Sequence, residues 1–367
     1  LGDGVYITLS DGNRGRAGAL FAVSGAQTKK VSKIDEGDVL AIGKLDPVAA
    51  GDVLSTGASS PKAKAGPLAR FPVYQLAIAT KDRKDDVRLS GALTKLAEED
   101  PGLAIHHDQD SHEIVLHGQG DSHLRIVLER LRKRFNVDVS TARPSTPYKE
   151  TIRKSATQRG RHKKQTGGHG QFGDCKIRVE PLSRGAEFEF VDDIFGGAIP
   201  RQFVPAVEKG IQESRMRGYL AGYPVVDFRV TVFDGSYHDV DSNELSFKMA
   251  GSLAFKDAMT RAKPTILEPV MNVEIYAPSD FAGDLMGDLN GRRGRIGGMD
   301  TRGSMTIIKA QVPMSEMLTY EQHLTSATGG RGSYHMEYSH YDEVPAQQQA
   351  KIIAAAKAER GLAVEEV

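Results

Sequence analysis

Tryptophan is absent from these 367 residues, and cysteine occurs once, at Cys175. A single thiol excludes an internal disulfide framework and fits a reducing compartment, so a cytoplasmic setting is expected. No apolar run approaches the roughly 20 residues that span a bilayer, and no signal-peptide pattern opens the chain. No membrane partner is therefore expected. Excess charge is missing too: 48 Lys and Arg face 48 Asp and Glu. A neutral chain does not attract a polyanion over its whole surface, so any contact with nucleic acid must be local. The length exceeds what one core serves, and two to four domains are expected.

Against this neutral background one stretch stands out. Thr151–Gly173, TIRKSATQRGRHKKQTGGHGQFG, holds six Lys and Arg and no carboxylate before Asp174. Cations on a glycine-rich loop point to an anionic partner, with RNA phosphate the leading candidate; the competing reading is a solvated basic loop. A second cluster, Arg292, Arg293 and Arg295 in NGRRGRIGG, follows a helix end and also suits phosphate. Arginines at a helix C-terminus are favoured by the dipole in any case. The segment Phe233–Ser242, FDGSYHDVDS, joins a strand to a helix. Its Tyr237-His238 pair is suited to stacking on bases. Asp241 or Ser242 is expected to cap the helix, with Asp241 and Glu244 at capping-box spacing.

Motifs of bond chemistry fail on context. Gly168-His-Gly170-Gln-Phe-Gly173 has the dinucleotide spacing, and a nicotinamide oxidoreductase is the rival function from another class. That fingerprint needs a strand before it and a helix after it, whereas a basic loop precedes and a strand pattern follows. In Gly37–Lys44, GDVLAIGK, five residues separate the glycines where a P-loop has four. Leu45 then stands where a magnesium-binding hydroxyl belongs. His106, His107, Asp108, Asp110 and His112 read as a hairpin tip before they read as a metal site, because alternation sends adjacent residues to opposite faces. No catalytic, cofactor or metal residue is assigned.

Periodicity divides the chain. Short apolar runs between Gly and Asp turns in 1–57 suggest a truncated β-barrel, and STGASSPKAKAGP a linker. Residues 68–143 follow the order βαββαβ, and 267–345 repeat it, which implies two ferredoxin-like domains. They flank an α+β segment, 144–266, with helices near Gln202–Met216 and Leu245–Arg261. Residues 346–367 hold an Ala-rich helix, expected at the surface, and a tail. The chain opens at Leu1, as though inside a strand meander, so a fragment is expected.

Several stretches, in order, resemble elongation factor G, the ribosomal translocase, and its paralogues. They include LTKLAEEDPGLAIHHDQDSHEIVLHGQGDSHLRIVLERLRKRF, KKQTGGHGQFGDCKIRVEPL, GGAIPRQFVPAVEKG, LAGYPVVDFRVTVFDGSYHDVDSNELSFKMAGSLAFKDAM, GDLNGRRGRIGGMDTRG and HMEYSHYDEVP. The resemblance implies the family's second to fifth domains, the fourth being ribosomal protein S5-like. GTP and magnesium would belong to an absent GTPase domain. It implies contact with ribosomal RNA, ribosomal proteins and the tRNA-mRNA pair at the decoding site; no oligomer signal is visible in the sequence, and a monomer is expected. The implied tip residues are Gly167, Gly168, His169 and Gly170, with Ser236, Tyr237, His238, Asp239 and Val240. Lys163 and Lys164 would supply charge, and Arg292 and Arg293 would face ribosomal RNA. Gly118–Leu124, GQGDSHL, departs from the family's Gly-Met-Gly-Glu-Leu-His-Leu. The alternative is therefore a paralogue serving ribosome recycling or protection.

Overall fold

A computed structural model describes residues 5–8, 14–25, 27–33, 35–45, 48, 52–57, 72–108, 111, 113–165 and 170–359. The chain divides into two compact units, 1–144 and 145–367.

The first unit begins with two small antiparallel sheets. β1 (Tyr6–Thr8) pairs with β2 (Arg14–Arg16), and β3 (Leu20–Ser24) lies between β4 (Gln27–Val31) and β5 (Leu40–Ile42). Ile7, Ala17 and Leu20 are buried. The expected barrel is corrected here, because no closed barrel forms among the described residues. Closure requires each strand to bury one face, and β4 leaves Gln27 to Lys30 exposed.

After these come β6 (Tyr74–Thr80), α1 (Asp86–Glu99), β7 (Ala104–His107), β8 (Ile114–Gly118), α2 (Asp121–Phe135) and β9 (Val139–Ala142). The strands form an antiparallel sheet in the order β7-β8-β6-β9. Leu89, Leu93 and Leu96 of α1 and Leu124, Val127 and Leu131 of α2 fall at helical spacing. They share one core with Ile78 and Leu116. Asn136, at φ 53°, ends α2 in the left-handed region that Asn tolerates. In the departing GQGDSHL motif, His123 Nδ1 accepts the Gln119 N–H at 3.0 Å. Its Nε2–H therefore donates to Asp100, 2.9 Å away. Burial would raise the Asp100 pKa, but the bonds from His123 and the Gly102 N–H outweigh it and hold the carboxyl below its usual value. The β7–β8 connection is a hairpin, with Asp108 N–H donating to Glu113 O at 2.9 Å. Asp110 and His112 lie outside the described residues.

The second unit opens with β10 (Lys149–Ile152), β11 (Ala156–Lys164), β12 (Gln171–Pro181) and β13 (Phe188–Asp192). It continues with α3 (Val204–Arg217), β14 (Phe228–Ser236) and α4 (Glu244–Arg261). Their sheet order is β11-β12-β14-β13, and β13 runs parallel to β14. One face packs Cys175, Ile177, Val179, Val230 and Val232 against Val207 and Ile211 of α3 and Phe247, Ala250, Ala254 and Phe255 of α4. Burial, and secondarily the Asp174 charge, pushes the Cys175 thiol up to about 12.

β15 (Pro264–Pro278) then starts a second βαββαβ series. It runs through α5 (Ala282–Gly291), β16 (Arg295–Arg302), β17 (Met305–Pro313), α6 (Met314–Met317), α7 (Tyr320–Thr328) and β18 (Ser333–Glu343), and α8 (Ala346–Glu359) follows. β15 pairs with β18 and β17, β17 pairs with β16, and all are antiparallel. The first four residues of β15 also pair with β10, so the sheet continues into the preceding segment. α8 is not simply a surface helix: Ile352, Ile353 and Ala356 pack with Ala221, Ile266 and Val344. Gln349 Nε2 also donates to Thr265 Oγ1 at 2.8 Å.

Glu150 of β10 is fully buried, and its carboxylate accepts five backbone N–H groups. Tyr219 and Leu220 donate to Oε2, both at 2.8 Å, while Ala221, Gly222 and Tyr223 donate to Oε1 at 2.9, 3.0 and 3.2 Å. A loop whose amides converge in this way is an anion-binding nest. Here the anion is the protein's own, and it fixes the loop on which α8 rests.

Candidate nucleic-acid interface

β11 and β12 are an antiparallel pair, and Lys163 and Lys164, the last residues of β11, lie opposite Phe172 and Gln171. Since β14 runs antiparallel to β12, its C-terminal end, with Ser236 opposite Asp174, lies at the same end of the sheet as Lys163 and Lys164. Topology alone therefore puts the basic hairpin and the Tyr237–Asn243 loop at one end of the sheet.

Side chains lace the two together. Asp241 Oδ1 accepts the Gly170 N–H at 2.9 Å, and Asp241 O accepts the Phe172 N–H at 2.9 Å. Ser242 Oγ donates to Phe172 O at 2.9 Å and accepts the His238 N–H at the same distance. A Cβ on residue 170 would lie 2.9 Å from the Asp241 carboxylate, so a larger residue there would have to push that side chain aside. The helix cap expected at Asp241 or Ser242 is corrected to Asn243, whose side chain accepts the Ser246 N–H at 2.9 Å. Asp241 is drawn away to Gly170, so its capping-box partnership with Glu244 does not form.

His238 is presented in a defined form. Nδ1 lies 3.2 and 3.3 Å from the N–H groups of Asp241 and Val240, which can only donate. The same nitrogen is 3.5 Å from the Asp241 carboxylate. An ion pair there would need a proton on Nδ1 and would forfeit both amide bonds, so the neutral Nε2–H tautomer fits better. With 57 % of the side chain exposed, that donor is available to a ligand. Tyr237 is 47 % exposed, Asp239 and Val240 are exposed, and Ser236 Oγ turns inward to Asp174 at 2.9 Å.

Beneath the loops, Asp174 is fully buried and pairs with Arg159 through two hydrogen bonds, one of them 2.7 Å from Nε. Burial alone would raise its pKa; the bonds from Arg159 and Ser236 and the nearby Arg161 charge prevail and lower it. Arg161 also lies over the Phe172 ring, 5.3 Å from its centroid. Lys163 and Lys164 are exposed and form no ion pair among the described residues. Gly167, Gly168 and His169 lie outside the described residues.

Arg292 and Arg293 are placed elsewhere in the second unit, and their donors are turned inward. Arg292 Nε meets Asp288 at 2.8 Å, and its NH1 donates to Glu316 O at 2.8 Å. Arg293 grips Glu268, which is 3 % exposed, with both terminal nitrogens, and reaches Glu316 from Nε at 3.1 Å. Of this cluster Arg295 is the open cation, with 78 % of its side chain exposed and Asp342 at 3.3 Å.

The roles of Asp174 and Asp241 are not legible in the local sequence, because their partners lie 15 to 71 positions away.

Residues 71–143 match the family model for elongation factor G domain III, 144–263 that for domain IV, and 265–352 that for the elongation factor G C-terminus. Elongation factor G of Aquifex pyrophilus is 45 % identical over 353 residues, covering 96 % of this chain and 50 % of that protein. A crystal structure from Thermus thermophilus aligns with TM-score 0.79 at 40 % identity, over 98 % of this chain and 54 % of the other. The chain thus spans about half the length of the relatives it matches. With three consecutive domain models matched and the laced loops lying in the domain IV segment, the chain belongs to the elongation factor G family.

Proposed function

We propose that this chain is the ribosome-engaging part of a translational GTPase that promotes movement of tRNA and mRNA through the ribosome. The observation that carries this reading is the lacing of the basic hairpin to the His238 loop by Asp241 and Ser242, at one end of the domain IV sheet. A preshaped, cation-bearing tip can occupy an RNA site without first being ordered, which lowers the cost of binding. Lys163 and Lys164 supply charge, Gly170 allows close approach, and His238 supplies an Nε2–H. Arg292 and Arg293 act one step removed, by holding Glu268 and Glu316 under the surface that displays Arg295.

The chain carries downstream domains and performs no bond chemistry in this reading. GTP and magnesium belong to a GTPase domain outside it, and the protein works as a cytoplasmic monomer. In both βαββαβ series the first strand lies between the third and fourth, which supports a ferredoxin-like fold for each. The α+β segment between them is read as S5-like.

A toeprint of messenger RNA on ribosomes carrying tRNA tests the proposal, using GTP and the protein that contains this chain. A shift of one codon is expected. Subunit dissociation without a shift would instead assign the protein to recycling.

A further inference from the structure

A third loop reaches the same end of the sheet. β13 runs parallel to β14, with Asp192 opposite Val232, so the connection from β13 to α3 emerges beside the Tyr237 loop. Asp193 N–H donates to Val232 O at 2.8 Å, and Ile199, 1 % exposed, packs so close to Gly235 that a Cβ there would meet it, as well as Asp174 O. At the crest of this loop stands Phe195, 92 % exposed, the most exposed aromatic among the described residues.

The exposure is built in. Ile194 packs on the core before Phe195, and its N–H is held by Asp192 Oδ1 at 3.1 Å. Beyond Phe195 the chain turns through Gly196 and Gly197 at φ 66° and 75°, a conformation that favours glycine. Ile199 and Phe203 then return to the core, Phe203 stacking on Phe247 with centroids 4.9 Å apart. An aromatic ring is thus held in solvent between two apolar anchors.

We infer that Phe195 is an RNA-contacting residue of this tip, stacking on an unpaired base. This rests on the ribosome-binding reading above for its partner. The exposed Lys163 and Lys164 bring a polyanion to this end of the sheet. Asp192 and Asp193 flank the ring and disfavour phosphate beside it, which leaves the uncharged face of a base as the fitting surface. Stacking contacts of this kind tolerate any base.

The absence of tryptophan makes the test clean, because Phe195→Trp introduces a sole indole. Titration of that variant with short single-stranded oligoadenylate is expected to quench its emission, and the abasic analogue is expected to leave it unchanged. Equal quenching by both, or by neither, overturns the inference. On ribosomes, Phe195→Ala and Phe195→Leu are both expected to weaken co-sedimentation roughly 5- to 150-fold, with Phe195→Tyr restoring it. Full binding by the Leu variant, or a blue-shifted, unquenched indole, would mean an apolar protein surface and would also overturn it. Failure of the unaltered chain to co-sediment would refute the ribosome reading instead, while the oligonucleotide result still decides the role of Phe195.

Discussion

Glu150 carries a carboxylate into a site with no exposure and meets five amides, with no basic side chain bonded to it among the described residues. Hydrogen bonds to a charged group contribute about 1.5–3 kcal/mol each when single, and removing the charge leaves several donors facing a poorer acceptor. Glu150→Gln keeps the shape but turns an amide NH2 toward those N–H groups. A loss of about 3 kcal/mol is expected in denaturant unfolding, with the C-terminal helix loosened. Asp174 gives a pH signature. Its folded pKa is lowered, so its contribution is present above the unfolded value of about 4 and is lost as pH falls through the folded value. The unfolding midpoint should therefore decline below about pH 4, and less so in Asp174→Asn. Cys175 reports on the same fold: buried, with its pKa near 12, it should resist a thiol reagent at neutral pH until the protein unfolds. Rapid labelling of native protein would contradict the buried placement.

At the scale of elements, the tip depends on a loop-to-loop tie. Asp241→Ala should remove the Gly170 bond and speed hydrogen exchange of that amide, while global stability changes by no more than about 0.5 kcal/mol. Asp241→Asn retains an oxygen acceptor and should restore protection. The elements themselves were largely readable in the sequence, because apolar spacing reports burial directly. Leu124, Val127 and Leu131 mark α2, and the alternation Cys175, Ile177, Val179 marks β12. What periodicity cannot report is competition for a side chain. The spacing of Asp241 and Glu244 suits a capping box, yet Gly170, 71 positions away, takes the carboxylate and Asn243 caps the helix. Likewise NGRRGRIGG shows three equivalent arginines, and only the fold shows that two of them are committed to Glu268, Glu316 and Asp288. The barrel expected from 1–57 failed for a related reason. Short apolar runs specify strands but do not specify closure.

At the scale of the molecule, charge is balanced in total but uneven in placement. The chain is neutral overall, and the second unit concentrates exposed cations, an exposed imidazole and exposed rings at one end of one sheet. Domain III, domain IV and C-terminal models of one family match consecutive segments of the chain. The structure adds a physical link between the β11–β12 pair and the His238 loop, which is the Asp241–Ser242 lacing. If that tip meets RNA backbone, binding must weaken with salt according to the phosphates it neutralises. The most direct test is co-sedimentation of the chain with ribosomes across a salt series, for the unaltered protein and for Lys163→Glu with Lys164→Glu. The account predicts weaker binding by the double variant and a logarithmic salt slope shallower by about one to two. Identical affinity and slope for the two proteins would contradict it.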